Sequence, residues 1–366
     1  MGRRRLRLLC DTNPMCYGST GALLAILDHL DAEVTAIGRD VTLELLRPDP
    51  AVHRIVDVDT KDKDAVARAI RAGDYDAALV VSNQSNVALY AAWGLPFFFV
   101  DILYWFGRRK DQPVWVLTEQ AFIQDFPGVE QRFGNSRTPG SPQLVGPLIR
   151  DVDTLRAFEG TLVHIGGARS RWIHPGRNSP FAAMTAKWLE ALRTELPAPL
   201  LLACGEDAAS AARSAAPHLD ARPLAQPDFL HRLAGCERYL TTPGLNAVFE
   251  GLVSNRPMVF LPPQNATQVQ QLTQYEQAGL VPPGLNLAAL DPAFPTNPLP
   301  EAELTTAVLG SLNRIAQSPQ ALDQVLDHLR NQLASPLTGG LNMLTSLPPG
   351  GYAVARHLAS WWQDRC

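Results

Sequence analysis

The stretch 239–280, YLTTPGLNAVFEGLVSNRPMVFLPPQNATQVQQLTQYEQAGL, constrains the fold more than any other part of the chain. The run 238–242 reads as a buried strand. A Pro-Gly break at Pro243 and Gly244 follows, and then a helical pattern with apolar Leu245, Val248, Phe249 and Leu252. A second strand at 257–261 leads through Pro262 and Pro263 into another helix that stops at Gly279. Strand, glycine turn, helix, strand, turn, helix makes two consecutive βα units. Such units build parallel sheets whose ligands sit at the carboxyl ends of the strands. Polar clusters fall at both ends: Gly244, Asn246 and Glu250 at the first, Gln264, Thr267 and Gln268 at the second.

A helix that opens directly after a glycine presents free backbone N–H groups and the positive end of its dipole, which suits a pyrophosphate. Gly244 lets a phosphate approach the backbone. Asn246 and Glu250 are four apart and share a helix face, where a carboxylate accepts both hydroxyls of a ribose. Thr267 and Gln268 are then placed for sugar hydroxyls. The competing reading is an ordinary βα core with a capping glycine and a solvated glutamate.

These residues resemble the donor-binding signature of GT-B glycosyltransferases. Gly244, Asn246, Glu250, Pro257, Pro263 and Gln268 stand at matching positions. Pro243 replaces the usual second Gly or His, Thr267 the usual Asp and Gln271 the usual Asn. The resemblance implies two Rossmann-like α/β domains whose parallel sheets face a cleft, with a terminal helix crossing back to the first domain. It implies a UDP-type sugar donor and no metal or other cofactor. Thr267 in place of Asp changes the grip on the sugar and leaves its identity open.

The length of 366 residues predicts about two domains. A net charge of −4 argues against a binder of polymeric nucleic acid, which carries a basic face. Five scattered cysteines without metal spacing read as reduced thiols of a cytoplasmic protein. The basic start MGRRRLRLLCDT has too short an apolar run for a signal peptide, and no stretch reaches the ~20 apolar residues of a membrane span. The expected partners are thus a nucleotide sugar and a small acceptor, and a homodimer is open to the chain.

In the amino-terminal half, 6–10 reads as a strand and 20–30 as a helix. The loop between them carries Tyr17, Gly18, Ser19 and Thr20, read either as a helix start or as an acceptor contact. Strands are expected at 33–37, 54–58, 77–82, 96–101, 114–117 and 143–145. They are apolar runs of the kind that parallel sheets bury on both faces. Asp11, Asn83 and Asp101 stand at strand ends. Asp101 follows FFFV and precedes LYWF, an apolar setting that raises a carboxylate's pKa and makes it a candidate general base, or else a helix cap. Tyr104 and Trp105 are either a stacking platform for a flat acceptor or core. Asp11 and Glu119, after VWVLT, complete the set of candidate catalytic carboxylates. The first loop lacks the His that many inverting sugar transferases use as base.

Domains are expected at 1–150 and 151–348, with 349–366 as the returning helix. The strand 162–165 ends in Gly166-Gly167-Ala168-Arg169-Ser170, a turn whose amides form an anion nest and whose arginine adds charge. Arg169 is placed for a sugar carboxylate. In ARPLAQPDFLHRL the resemblance puts Leu224 and Gln226 where GT-B enzymes hold the donor base. His164 reads as a core histidine. The proline-rich run 281–300 excludes a regular helix. The segments YGSTGALLAILDHL and FVDILYW also resemble cytosylglucuronate synthases, GT-B-like enzymes that join glucuronate to N1 of cytosine. A UDP-sugar 2-epimerase and a non-catalytic nucleotide-binding relative are the alternatives.

Overall fold

The computed structural model describes residues 4–15, 17–106, 113–134, 141–152, 159–166, 168–170 and 172–366. Two compact units emerge, residues 1–151 with 344–366 and residues 152–343.

The first unit is built on seven parallel strands: β1 (Leu6–Thr12), β2 (Ala32–Gly38), β3 (Arg54–Asp57), β4 (Ala77–Val81), β5 (Phe97–Asp101), β6 (Gln120–Gln124) and β7 (Gln143–Val145). Their order is β3-β2-β1-β4-β5-β6-β7. The central strands are solid apolar runs because helices cover both faces: every residue of AALVV in β4 and FFFVD in β5 is buried. The order reverses between β1 and β4, where Thr12 pairs with Val81. Such a reversal opens a crevice at the strand carboxyl ends.

The last helix, Gly351–Gln363, belongs to this unit. It packs on the helix Tyr17–Leu27 and on the amino side of the sheet. Trp361 meets Phe98 edge-on with ring centroids 5.1 Å apart, and His357 meets Phe122 at 5.3 Å. A Cβ on Gly351 would overlap the Ala25 carbonyl. Gly351→Ala is therefore expected to destabilise this unit by about 1–3 kcal/mol, the scale of overpacking, read as a lower urea midpoint at unchanged slope. An unchanged midpoint would show that the helix docks without this close approach.

The second unit has five parallel strands: β8 (Thr161–His164), β9 (Leu200–Ala203), β10 (Asp220–Arg222), β11 (Arg238–Thr241) and β12 (Met258–Phe260). Their order is β10-β9-β8-β11-β12, with the reversal between β8 and β11. There Thr241 pairs with His164 on one side and Phe260 on the other.

Two sequence expectations need correction. The run 114–117 is a helix turn, Val114–Leu117, and the strand is the following QAFIQ. Pro113 already holds helical φ and ψ, and only Val114 and Trp115 are buried while Val116 and Leu117 face solvent. Four apolar residues fit either structure locally, and the sheet selects the segment that can hydrogen-bond to β5. Within the proline-rich run, one helical turn does form at Leu287–Leu290, capped by the Asn286 side chain on the Leu287 N–H. No helix among the described residues is long and apolar enough to cross a membrane.

Candidate functional site

In the second unit Gly166, Gly244 and Gln268 meet at the β8/β11 reversal. Gly244 caps the helix Leu245–Val253 in an extended conformation, and no side chain caps that helix. A helix start of this kind, opened by glycine, suits an anionic ligand. Leu245 is buried and Asn246 half-buried in the first turn. Glu250, further along the same helix, is 4% exposed. Burial pushes its carboxyl up from the ordinary 4.5 to about 7, and no donor among the described residues bonds it. A buried carboxylate without donors is costly unless something else supplies them.

The loop after β8 is fastened to the start of the helix Ala266–Gln277. The Gly166 carbonyl accepts from Gln264 Nε2 at 2.9 Å, Gln268 Nε2 at 3.0 Å and Thr242 Oγ1 at 3.3 Å. Gln268 Nε2 also lies 3.1 Å from Thr242 Oγ1, and Gln268 Oε1 accepts from the Gln264 N–H. Both amide groups of Gln268 are thus engaged within the protein. Rather than standing free for sugar hydroxyls, it braces the glycine turn. A Cβ on Gly244 would stand 3.5 Å from Gln268 Nε2, so Gly166, Gln268 and Gly244 form one continuous patch. Thr267 is half-buried beside them.

The remaining donor candidates are distributed over the loops after β8 and β10. Arg169 lies 3.6 Å from Asp207. The Ser170 hydroxyl accepts from the N–H groups of Trp172 and Ile173, closing the loop on itself. Leu224 and Gln226 are half-buried at the entry to the helix Gln226–Gly235. Gly167 lies outside the described residues.

In the first unit the carboxyl edge at the β1/β4 reversal is polar and tightly bonded. Asp11 is fully buried and accepts from Asn83 Nδ2 at 2.7 Å, Asn86 Nδ2 at 2.8 Å and Tyr90 Oη at 2.7 Å. Burial raises its carboxyl to about 6 against the lowering pull of these donors and of Lys61. Three donors hold it, one on Oδ1 and two on Oδ2, so it serves as the anchor of a network, and Asn83 is committed to the same network. Ser82, between β4 and Asn83, sits at φ 55°, a left-handed conformation uncommon outside glycine. Its hydroxyl accepts from the Ile102 N–H, tying β4 to β5.

Asp101 is fully buried, and its Oδ1 accepts from the Leu103 N–H at 2.8 Å, a turn-capping role. Tyr104 is 1% exposed and edge-on to Trp115 at 5.8 Å, so its faces belong to the core. Trp105 is half-buried against Phe126. Tyr17 donates to Glu44 at 2.5 Å, Gly18 is half-buried, and Ser19 and Thr20 are buried in the helix that they open. Glu119 does not join this edge. It precedes β6, at the amino side of the sheet, and accepts from Trp361 Nε1 at 3.1 Å and Arg365. Its displacement follows from the exchanged assignments of 114–117 and 120–124. Among the described residues no three His, Cys, Asp or Glu side chains stand grouped to hold a metal ion.

No family model matches the sequence, and no curated protein matches it. Solved structures do match. S. aureus MnaA in complex with UDP superimposes with a TM-score of 0.51 at 12% identity, over 98% of this chain and 97% of that one. Arabidopsis thaliana UGT89C1 complexed with UDP gives 0.50 at 14% identity, over 98% and 99%.

The fold is GT-B. At this identity the likeness concerns the fold and nothing finer. Within this GT-B chain, sequence reasoning missed the brace role of Gln264 and Thr242, the Asn86 and Tyr90 donors to Asp11, and the pairing of Tyr239 with His164. The local signal available was that Gln264 and Gln268 flank the Asn265 cap at the helix start.

Proposed function

We propose that the chain is a glycosyltransferase that binds a UDP-type sugar at the carboxyl edge of its second sheet and transfers the sugar to a small acceptor. The observation that carries this reading is Glu250: a buried carboxylate without protein donors, on the helix whose uncapped mouth begins at Gly244. A ribose supplies two hydroxyl donors to such a carboxylate, and a diphosphate fills the helix mouth. As the glycosidic bond to the diphosphate breaks, negative charge grows on the leaving oxygen. The first-turn amides and the helix dipole stabilise it there, with no protein-held metal called for.

The finer reading joins glucuronate to a nucleobase such as cytosine. The ring nitrogen attacks the anomeric carbon, the bonding pair leaves with the diphosphate, and the ring N–H proton passes to solvent. A nucleobase N–H is more acidic than an alcohol, so this acceptor suits a first unit whose Asp11 is held by three buried donors. Incubating the protein with UDP-glucuronate and cytosine is expected to yield the coupled nucleoside and UDP, detected by mass spectrometry. No coupled product with any of several nucleobases would remove the finer reading. Release of a free epimer without an acceptor would indicate a UDP-sugar 2-epimerase instead.

The engagement of Asp11 and Glu119 favours a second reading, a nucleotide-binding relative without turnover. UDP binding by calorimetry with no product from any donor would select it.

A further inference from the structure

Beside the glycine turn stands His164, which the sequence pattern reads as a core histidine. His164 ends β8 and is half-buried. Its ring lies against Phe229 with centroids 4.6 Å apart, and its Nδ1 is 3.4 Å from the Tyr239 hydroxyl. No group among the described residues bonds Nε2. That atom faces the donor loop: a Cβ on Gly166 would stand 2.9 Å from it, so glycine is what leaves its approach open. On the far side of Tyr239 lies Glu250, whose charge, after burial, helps push the Tyr239 hydroxyl well above its ordinary 10.

The protonation state follows from these neighbours. Burial lowers the imidazole to about 4, so the ring is neutral at any ordinary pH. Tyr239 stays a phenol, and its 3.4 Å contact with Nδ1 lets the hydroxyl donate to that nitrogen or accept from it. With Tyr239 as the donor, the one ring hydrogen of the neutral imidazole resides on Nε2. In that tautomer the ring presents a neutral N–H donor beside the glycine turn. Glu250 supplies acceptors for ribose hydroxyls, and His164 supplies the complementary donor for an anionic oxygen.

We infer that His164 is a direct ligand of the nucleoside diphosphate, donating an Nε2–H hydrogen bond to a diphosphate oxygen. This rests on the nucleotide reading of the site. It makes His164 a specificity residue for the diphosphate over the bare nucleoside. Tyr239 acts through it as a positioning residue that sets the tautomer.

The test compares UDP and uridine on the full chain. His164→Phe keeps a ring against Phe229 and removes the donor. It is expected to weaken UDP by about tenfold, the scale of a hydrogen bond to a charged group, and to leave uridine unchanged. His164→Gln, which restores an N–H donor, is expected to recover part of the UDP affinity. Equal loss of UDP and uridine in His164→Phe, or no loss of either, would overturn the inference and leave the nucleotide reading standing. A wild-type chain that binds neither would overturn both. Independently of any variant, 15N spectra of the wild-type chain are expected to show His164 protonated at Nε2, with that resonance moving on addition of UDP and not of uridine. Protonation at Nδ1 would overturn the proposal.

Discussion

Glu250→Gln is expected to make the protein more stable at pH 8 and at the same time a poorer nucleotide binder. The Glu250 carboxyl rises from 4.5 in an exposed chain to about 7 in the fold because burial disfavours its charged form. The folded state therefore holds its proton more tightly than the unfolded state. The stability linked to that proton is fully present below pH 4.5, declines as pH rises through 7, and is constant above. Glutamine does not titrate, so wild type and variant match at acid pH and diverge across this window. At pH 8 the variant gains up to about 3 kcal/mol, at 1.36 kcal/mol for each pH unit by which the carboxyl is displaced. Ribose hydroxyls donate to the ionised carboxylate, so the same change weakens UDP by about 1.5–3 kcal/mol. In the wild type, UDP binding near pH 7 releases protons, which calorimetry in buffers of different ionisation enthalpy detects. Urea midpoints that coincide at pH 8 would mean that the carboxylate is not desolvated. Undiminished UDP binding would remove Glu250 from the site.

Asp11→Ala gives the largest expected loss. The substitution leaves Asn83 Nδ2, Asn86 Nδ2 and Tyr90 Oη without their acceptor in a fully buried site. Each buried donor left unsatisfied costs about 1–3 kcal/mol. Part of this is relieved by water or by repacking, and a loss of about 3–5 kcal/mol is expected for the first unit. Denaturant titration reads it as a lower midpoint. Asp11 was a candidate base on sequence grounds, and the variant decides between the two roles. A base would depress turnover while the midpoint stayed fixed, whereas an anchor lowers the midpoint first.

Much of the fold was legible. Apolar runs such as AALVV and FFFVD announce strands buried on both faces, and the glycine and proline breaks between them mark βα units. The helices Glu301–Gln317, Pro319–Ala334 and Gly351–Gln363 follow their apolar periodicity closely. The site was legible by position more than by role. Gly166, Gly244 and Gln268 do gather at one sheet edge, yet Gln268 turns out to hold the loop. Asp101 and Tyr104 are at the expected strand end, yet one caps a turn and the other fills the core. Glu119 fails in position as well, because VWVL reads equally as strand or helix and only pairing with β5 chooses QAFIQ.

What the sequence determined by itself is local: alternating strand and helix segments, a glycine-opened helix with a carboxylate on one face, and a polar residue at most strand ends. Those follow from periodicity and backbone conformational preference, which act over a few residues. The tertiary structure alone decided which strand ends are neighbours and which polar groups are already taken. Asp11 meets Asn83 across 72 positions and Gln264 meets the Gly166 carbonyl across 98. Strand order sets such partnerships, and a hydrogen bond made across that distance consumes a donor or acceptor that no local pattern shows as spent.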